Sequence, residues 1–429
     1  MVHVPVGLTV RYVCADDRPL VAFLPTAHIY GDAPSNGSEI ILIISRLPPT
    51  KFKNIGDLIR TQKGLAPRGV ARFTSLPFDK TTRYSYVGPQ SEAPACPEFS
   101  SSVLIDQSIL IDAERAIKYP EKNPKRLLDL RAHLKWIKEL DSVPGFALAE
   151  CREGPGGISA ARQLRAHWRA WMLSDPLTVS IEDLREHVNA YLADLSHQKS
   201  DANDYGDGDR ELSMLNYLSI LEAARLYRPM HNQKFQAEER ISAWRSWVEQ
   251  MNKFAGFSAH ATLTISELLL NRETNSSGKK RNGASALLKL NRICPPTLNE
   301  LHGAAYDLLY SAICDIAQSG ELPDYHKKVY LFTADKLLVE FRQRVELIGQ
   351  VDIGGHGIGL LASDKLPYWT HYSPTQRNEL DEIDHQRNAG ALRRLLEDSK
   401  DVNHRQNLIR ERIGELEESL QRDGIISSS

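Results

Sequence analysis

The stretch Val103-Leu104-Ile105-Asp106-Gln107-Ser108 decides how this chain is read. Three apolar residues run straight into a carboxylate, the pattern of a strand buried on both faces that delivers an acid at its C-terminal edge. Two more apolar runs end in the same way. Phe146-Ala147-Leu148-Ala149 follows the break at Pro144-Gly145 and leads to Glu150, and Lys328-Val329-Tyr330-Leu331-Phe332 leads through Thr333-Ala334 to Asp335. Each is expected to be a strand with an acid at its edge. Between the first two, Leu127, Leu130, Leu134 and Ile137 recur at helical spacing, with Asn123 placed as N-cap and Pro124 as the first helical residue. This alternation points to an α/β fold with a central parallel sheet.

Outward from these runs the character changes twice. Residues 158 to 256 keep a helical period throughout, with Leu164, Trp168 and Trp171 on one face and Ile181, Leu184, Val188, Tyr191 and Leu195 on another, then helices near 210–227 and 236–254. This block is expected to be a helical insertion that supplies no strand to the sheet. Further helices are expected around Thr262–Leu270 and from Asn299 to Gln318, the latter carrying Asp307. Residues 1–95 alternate β-rich runs such as Leu8–Val13 and Ile40–Ile44 with Pro, Gly, Asp and Asn clusters, the pattern of a separate β-rich module, and the Ser- and Pro-rich stretch Pro89–Ser102 reads as a linker. Residues 373–424 read as two polar helices forming a hairpin, with Ile409, Ile413, Leu416 and Leu420 as its apolar seam.

Composition narrows the function classes. At 429 residues the chain has room for roughly two or three domains. Its apolar share of 41% and charged share of 25% suit a globular protein, and no apolar run reaches the length of about 18 residues that a membrane helix needs. A membrane partner is therefore not expected. Met1-Val2-His3-Val4-Pro5 has neither the basic nor the apolar segment of a secretory signal, which makes a cytoplasmic location the expectation. The five cysteines form no CxxC pair, so neither a disulfide framework nor a zinc knuckle is indicated. With a net charge of −2, any nucleic-acid contact has to use a local basic patch.

The chemistry rests on Asp106, Glu150, Asp307 and Asp335. Strand ends of a parallel sheet open on one crevice, so acids distant in sequence can meet there. Clustered carboxylates raise one another's pKa unless a cation neutralises them, and oxygen donors suit Mg²⁺ or Mn²⁺. At these residues the chain resembles the PIN-domain metal-dependent nucleases. Val103–Ser108 is similar to the family's opening strand, Phe146–Glu150 lies where the family places its second acid, Ala304-Ala305-Tyr306-Asp307-Leu308-Leu309 is like the helix bearing the third, and Phe332-Thr333-Ala334-Asp335-Lys336 is like its late Thr-x-Asp.

The resemblance implies a PIN-like domain over 103–360, a three-layer core interrupted by the insertion 158–256. It implies that the four acids bind Mg²⁺ or Mn²⁺ and catalyse phosphodiester hydrolysis, with RNA preferred over DNA as substrate, and that Thr333 orients Asp335. A homodimer and a regulatory protein partner are compatible with it. Glu267, in Thr264-Ile265-Ser266-Glu267-Leu268-Leu269, is a rival for the second acid, and Glu150 is preferred for its distance from Asp106. The alternative to an enzyme is an inactive PIN-like scaffold that binds a protein partner.

Other signals are weaker. Arg and Trp interleave at Arg162, Arg165, Trp168, Arg169 and Trp171, and again at Arg240, Trp244, Arg245 and Trp247. Amphipathic helices with Trp in the core explain this better than base stacking. Lys279-Lys280-Arg281 could contact phosphate or be simply solvated. Val351–Gly359 lacks dinucleotide-binding glycine spacing and reads as a structural turn, and Asp201–Gly206 departs from a calcium loop at Tyr205 and Leu212.

Overall fold

The computed structural model describes residues 20–26, 73–77, 84–89, 101–154, 157–195, 207–230, 236–254, 258–270, 283–291, 293–318, 328–353, 356–363, 372–397 and 402–427. In chain order the strands are β1 (Leu20–Thr26), β2 (Phe73–Pro77), β3 (Ser85–Pro89), β4 (Ser101–Ile105), β5 (Asp141–Val143), β6 (Lys328–Thr333), β7 (Val345–Ile353) and β8 (His356–Ser363). The α-helices are α1 (Gln107–Lys118), α2 (Pro124–Ile137), α3 (Gly145–Glu153), α4 (Gly157–Leu173), α5 (Ile181–Leu195), α6 (Asp207–Tyr227), α7 (Ala237–Phe254), α8 (Ala259–Leu270), α9 (Gly283–Leu287), α10 (Leu298–Gln318), α11 (Lys336–Arg344), α12 (Pro374–Glu397) and α13 (Val402–Arg422). The protein is mostly helical. Its chain divides into two compact units, one of residues 73–210 and 322–343, the other of residues 1–72, 211–321 and 344–429.

The first unit holds a five-stranded sheet in the order β2-β3-β6-β4-β5. Strand β4 runs parallel to β5 on one side and to β6 on the other, while β2 and β3 join antiparallel beyond β6. The sheet is therefore mixed, which corrects the expected parallel one. The cause is long-range pairing: β2 and β3 lie in the segment expected to form a separate module, yet Tyr86 pairs with Phe332. The expected strands Leu8–Val13 and Ile40–Ile44, the loop Lys279–Arg281 and the stretch Asp201–Gly206 lie outside the described residues.

Central position explains the apolar run of β4. Val103, Leu104 and Ile105 are fully buried, and Ile105 stands level with Phe332 of β6. Helix α2 begins as expected, with Asn123 Oδ1 accepting from the Arg126 amide at 3.1 Å and Pro124 in the first turn. It packs His133 against Tyr84, Tyr86 and Phe332. Phe146–Ala149 forms no strand. These residues open helix α3, whose first turn closes through Leu148 N–H to the Pro144 carbonyl at 3.0 Å. A short apolar run buried on all sides looks alike in a strand and in a buried helix, and here two alanines favour the helix.

Among the described residues the segment 158–256 is helical and supplies no strand to either sheet. Its tryptophans are core residues: Trp171 donates to the Ala113 carbonyl and Trp247 to the Ser219 carbonyl, each within its own unit.

The second unit contains the antiparallel sheet β1-β8-β7, in which β7 and β8 form a hairpin that pairs Ile353 with His356. Helix α8 is buried along its whole length. Helix α13 docks through Ile409, Leu416 and Leu420 and through charged contacts, with the fully buried Glu222 accepting from Arg225 at 2.9 Å and from Arg412 at 2.8 Å.

Candidate functional site

The parallel register of β4 and β6 brings two of the expected acids together. Ile105 and Phe332 are paired, the Asp106 amide donates to the Phe332 carbonyl at 3.1 Å, and the chain then leaves each strand through an aspartate that caps the next helix. Asp106 caps α1, its Oδ1 accepting from the Ser108 amide at 3.4 Å. Asp335 caps α11, its Oδ1 accepting from the Leu337 and Leu338 amides at 2.7 and 3.4 Å. Two helix N-termini thus start at one sheet edge, where the helix dipoles favour negative charge.

Two hydroxyls tie these acids together. Thr333 Oγ1 donates to Asp106 Oδ2 at 2.5 Å and accepts from the Asp335 amide at 2.9 Å. Ser108 Oγ donates to the same Oδ2 at 2.6 Å and accepts from the Ala334 amide at 3.2 Å. Thr333 is expected to orient Asp335; its hydroxyl accepts from the Asp335 main-chain amide and donates to the carboxylate of Asp106. The two hydroxyls occupy Oδ2, which leaves Oδ1 with only a long amide contact.

The electrostatics follow from this packing. Burial raises the Asp106 pKa above its ordinary value; the Ser108 and Thr333 hydroxyls oppose the rise, and the charge of Asp335 adds to it. A buried carboxylate whose pKa is raised further by a nearby acid is one that a cation would relieve. Two carboxylates, with water and substrate phosphate completing the shell, suffice for Mg²⁺. In donor chemistry the two carboxylates suit that ion.

The other expected residues are distributed as follows. Glu150 lies in the same unit as Asp106, buried on α3, a helix that packs on β4 and α1. With Glu114 it makes an acidic neighbourhood that adds to the burial raising the Cys151 thiol pKa. Asp307 on α10 and the rival Glu267 on α8 belong to the second unit, and both are buried. Asp307 Oδ2 lies 3.9 Å from Lys289 Nζ. Among the described residues, no group of three or more His, Cys, Asp and Glu side chains is arranged to hold a metal ion.

Sequence reasoning missed two features here. Ser108 appeared only as part of a motif, although its spacing from Asp106 is that of a helix-start hydroxyl. Lys289 carried no signal at all.

No family model matches this chain, and neither does any curated protein or solved structure.

Proposed function

We propose that this protein is a Mg²⁺- or Mn²⁺-dependent nuclease that hydrolyses phosphodiester bonds, acting on RNA in preference to DNA. The observation that supports it is the aspartate pair at the joined ends of β4 and β6, with the Asp106 pKa raised by burial and by Asp335. A bound divalent ion would supply Lewis-acid polarisation of a phosphoryl oxygen and a water made acidic enough to attack phosphorus. The chain's own part is positioning. Asp106 offers Oδ1 because Ser108 and Thr333 fix Oδ2, and Thr333 couples the placement of Asp106 to the backbone of Asp335. Glu150 is a further candidate acid in the same unit.

The test is calorimetric titration with Mn²⁺ together with cleavage of single-stranded RNA and DNA. Wild-type protein should bind Mn²⁺ and cut RNA faster than DNA, and Asp106→Asn should lose both properties. Glu150→Gln should impair cleavage more than Glu267→Gln; the reverse order would make Glu267 the second acid.

A second reading is an inactive PIN-like scaffold that binds a protein partner. It is favoured by the doubly hydrogen-bonded Asp106 Oδ2 and by the helix-capping geometry of both aspartates, which explain the two residues without an ion. Wild-type protein that neither binds Mn²⁺ nor cuts either nucleic acid would overturn the nuclease reading and leave this one.

A further inference from the structure

Lys336 opens helix α11, directly after Asp335. Its charge stands against the helix. The first turn of an α-helix is the positive end of the dipole and favours acids, and the first turn of α11 holds an exposed lysine and no acid. In α1 the cations Arg115 and Lys118 lie in the last turn, where the dipole favours them, and Lys118 pairs with Glu114 at 2.6 Å. Lys336 has no hydrogen-bond or ion-pair partner among the described residues, although two carboxylates belong to the same sheet edge. Neither helix stability nor local pairing therefore accounts for this ammonium.

We infer that Lys336 binds a backbone phosphate of the nucleic-acid substrate, next to the scissile one. The inference rests on the nuclease reading of Asp106 and Asp335, and it names a residue that draws a polyanion to their acidic edge. Two carboxylates repel a phosphodiester, and a chain with a net charge of −2 has no bulk field to offset them, so the attraction has to come from cations at the edge itself. Lys336 is such a cation. The backbone beside it is held by the Asp335 cap on α11 and by the Thr333 hydroxyl on the Asp335 amide. An ammonium that met the scissile phosphate would stand among the carboxylate oxygens and pair with one of them. Lys336 pairs with neither aspartate, which puts its phosphate one step along the strand. A contact of that kind positions the substrate without reading sequence. It is the same in the ground state and the transition state, so it lowers KM and leaves kcat unchanged.

The experiment uses the full-length chain as wild type, Lys336→Gln and Lys336→Arg. Cleavage of single-stranded RNAs of unrelated sequence is followed with Mn²⁺ over a series of salt concentrations, and each protein is melted in EDTA. Lys336→Gln should raise KM by about three- to tenfold on every RNA, with kcat within about twofold of wild type. The dependence of log KM on log salt should become shallower by about 0.7, the increment of one phosphate contact on a single strand. Lys336→Arg should behave as wild type. Lys336→Gln should melt no lower than wild type, because it gives up a charge that the helix dipole opposes. Unchanged KM and salt slope in Lys336→Gln, beside an active wild type, would overturn the inference and leave the nuclease reading standing. A fall in kcat at constant KM would also overturn it, by moving Lys336 into the chemical step. So would a lower melting temperature with kcat and KM both impaired, which is the mark of a structural role. Wild-type protein that cuts no RNA would overturn the nuclease reading and this inference with it.

Discussion

The two units treat a buried aspartate in opposite ways. At the edge of the five-stranded sheet, burial and, to a lesser degree, the charge of Asp335 raise the Asp106 pKa against the opposing hydrogen bonds of two hydroxyls. On α10, Asp307 meets the ammonium of Lys289. The same side-chain type is left electrostatically unsettled in the first environment and given a counter-charge in the second. Unsettled charge among fixed hydrogen bonds is what a site for a cation requires, whereas a carboxylate with its own ammonium has to be taken from it. On the proposed nuclease reading, the stronger demand for a cation falls on Asp106 and Asp335.

The largest expected effect comes from removing that demand. Asp106→Asn keeps an oxygen able to accept from Ser108 and Thr333 but removes the charge, so metal-dependent cleavage should fall by at least about 100-fold. Stability without metal should move the other way. Because the folded-state pKa is raised, the folded protein holds its proton above the ordinary carboxylate range, and the stability this group provides at low pH is lost as pH rises through the folded pKa. Asn has no such loss. In EDTA the variant should therefore gain on wild type above that window, with the gain vanishing below about pH 3.8. Thermal melts across pH 3–8 check this, and a variant less stable than wild type at pH 7 would break the comparison at its centre.

His133 gives the next effect, with the opposite sign. Burial among Tyr84, Tyr86 and Phe332 lowers its pKa to about 4. The neutral ring is favoured in the fold, so its contribution is complete above about pH 6.5 and is lost as pH falls towards 4, by up to about 3 kcal/mol. His133→Gln should remove this dependence while lowering overall stability. The acid limb of a denaturation series in wild type and variant measures it. A limb of unchanged steepness in His133→Gln would move the acid sensitivity to another group.

Thr333→Val is smaller and more specific. It preserves shape, deletes the donor to Asp106 and the acceptor of the Asp335 amide, and should cost about 1–3 kcal/mol because the site is fully buried. Mn²⁺ affinity should drop by about 10–100-fold, with Thr333→Ser close to wild type. Loss of stability without loss of affinity would make Thr333 a purely structural tie.

What could be read in advance follows the range of the interactions involved. Asp106 and Asp335 were legible because an apolar run ending in an acid is a local pattern, and neighbouring parallel strands bring such ends together. Asn123 and Pro124 were legible for the same reason, as a cap is written within four residues. Phe146–Ala149 was ambiguous, since full burial erases the period that separates strand from helix. The joining of β2 and β3 to β6 depends on partners hundreds of residues away, for which the local pattern holds no record. Lys289 was invisible because Leu287-Leu288-Lys289-Leu290 has no glycine to mark a helix end.

The smallest effect tests whether the two hydroxyls on Asp106 are equivalent. Ser108→Ala removes the 2.6 Å donor to Oδ2 and the acceptor of the Ala334 amide, but leaves Thr333 on the same oxygen. Ser108 is only half-buried, so water can replace part of what is lost, and the cost should be about 0.5–1.5 kcal/mol, below that of Thr333→Val. Because one donor fewer stabilises the ionised carboxylate, the Asp106 pKa should rise further and the pH window of its stability should widen upward. The same change frees a lone pair on Oδ2, so Mn²⁺ affinity should fall by no more than a few-fold. Melts across pH with a Mn²⁺ titration of Ser108→Ala check both. A loss of affinity as large as that of Thr333→Val would show that Oδ2 is held by the two hydroxyls acting as one unit, and a double variant costing less than the sum of the two would confirm it.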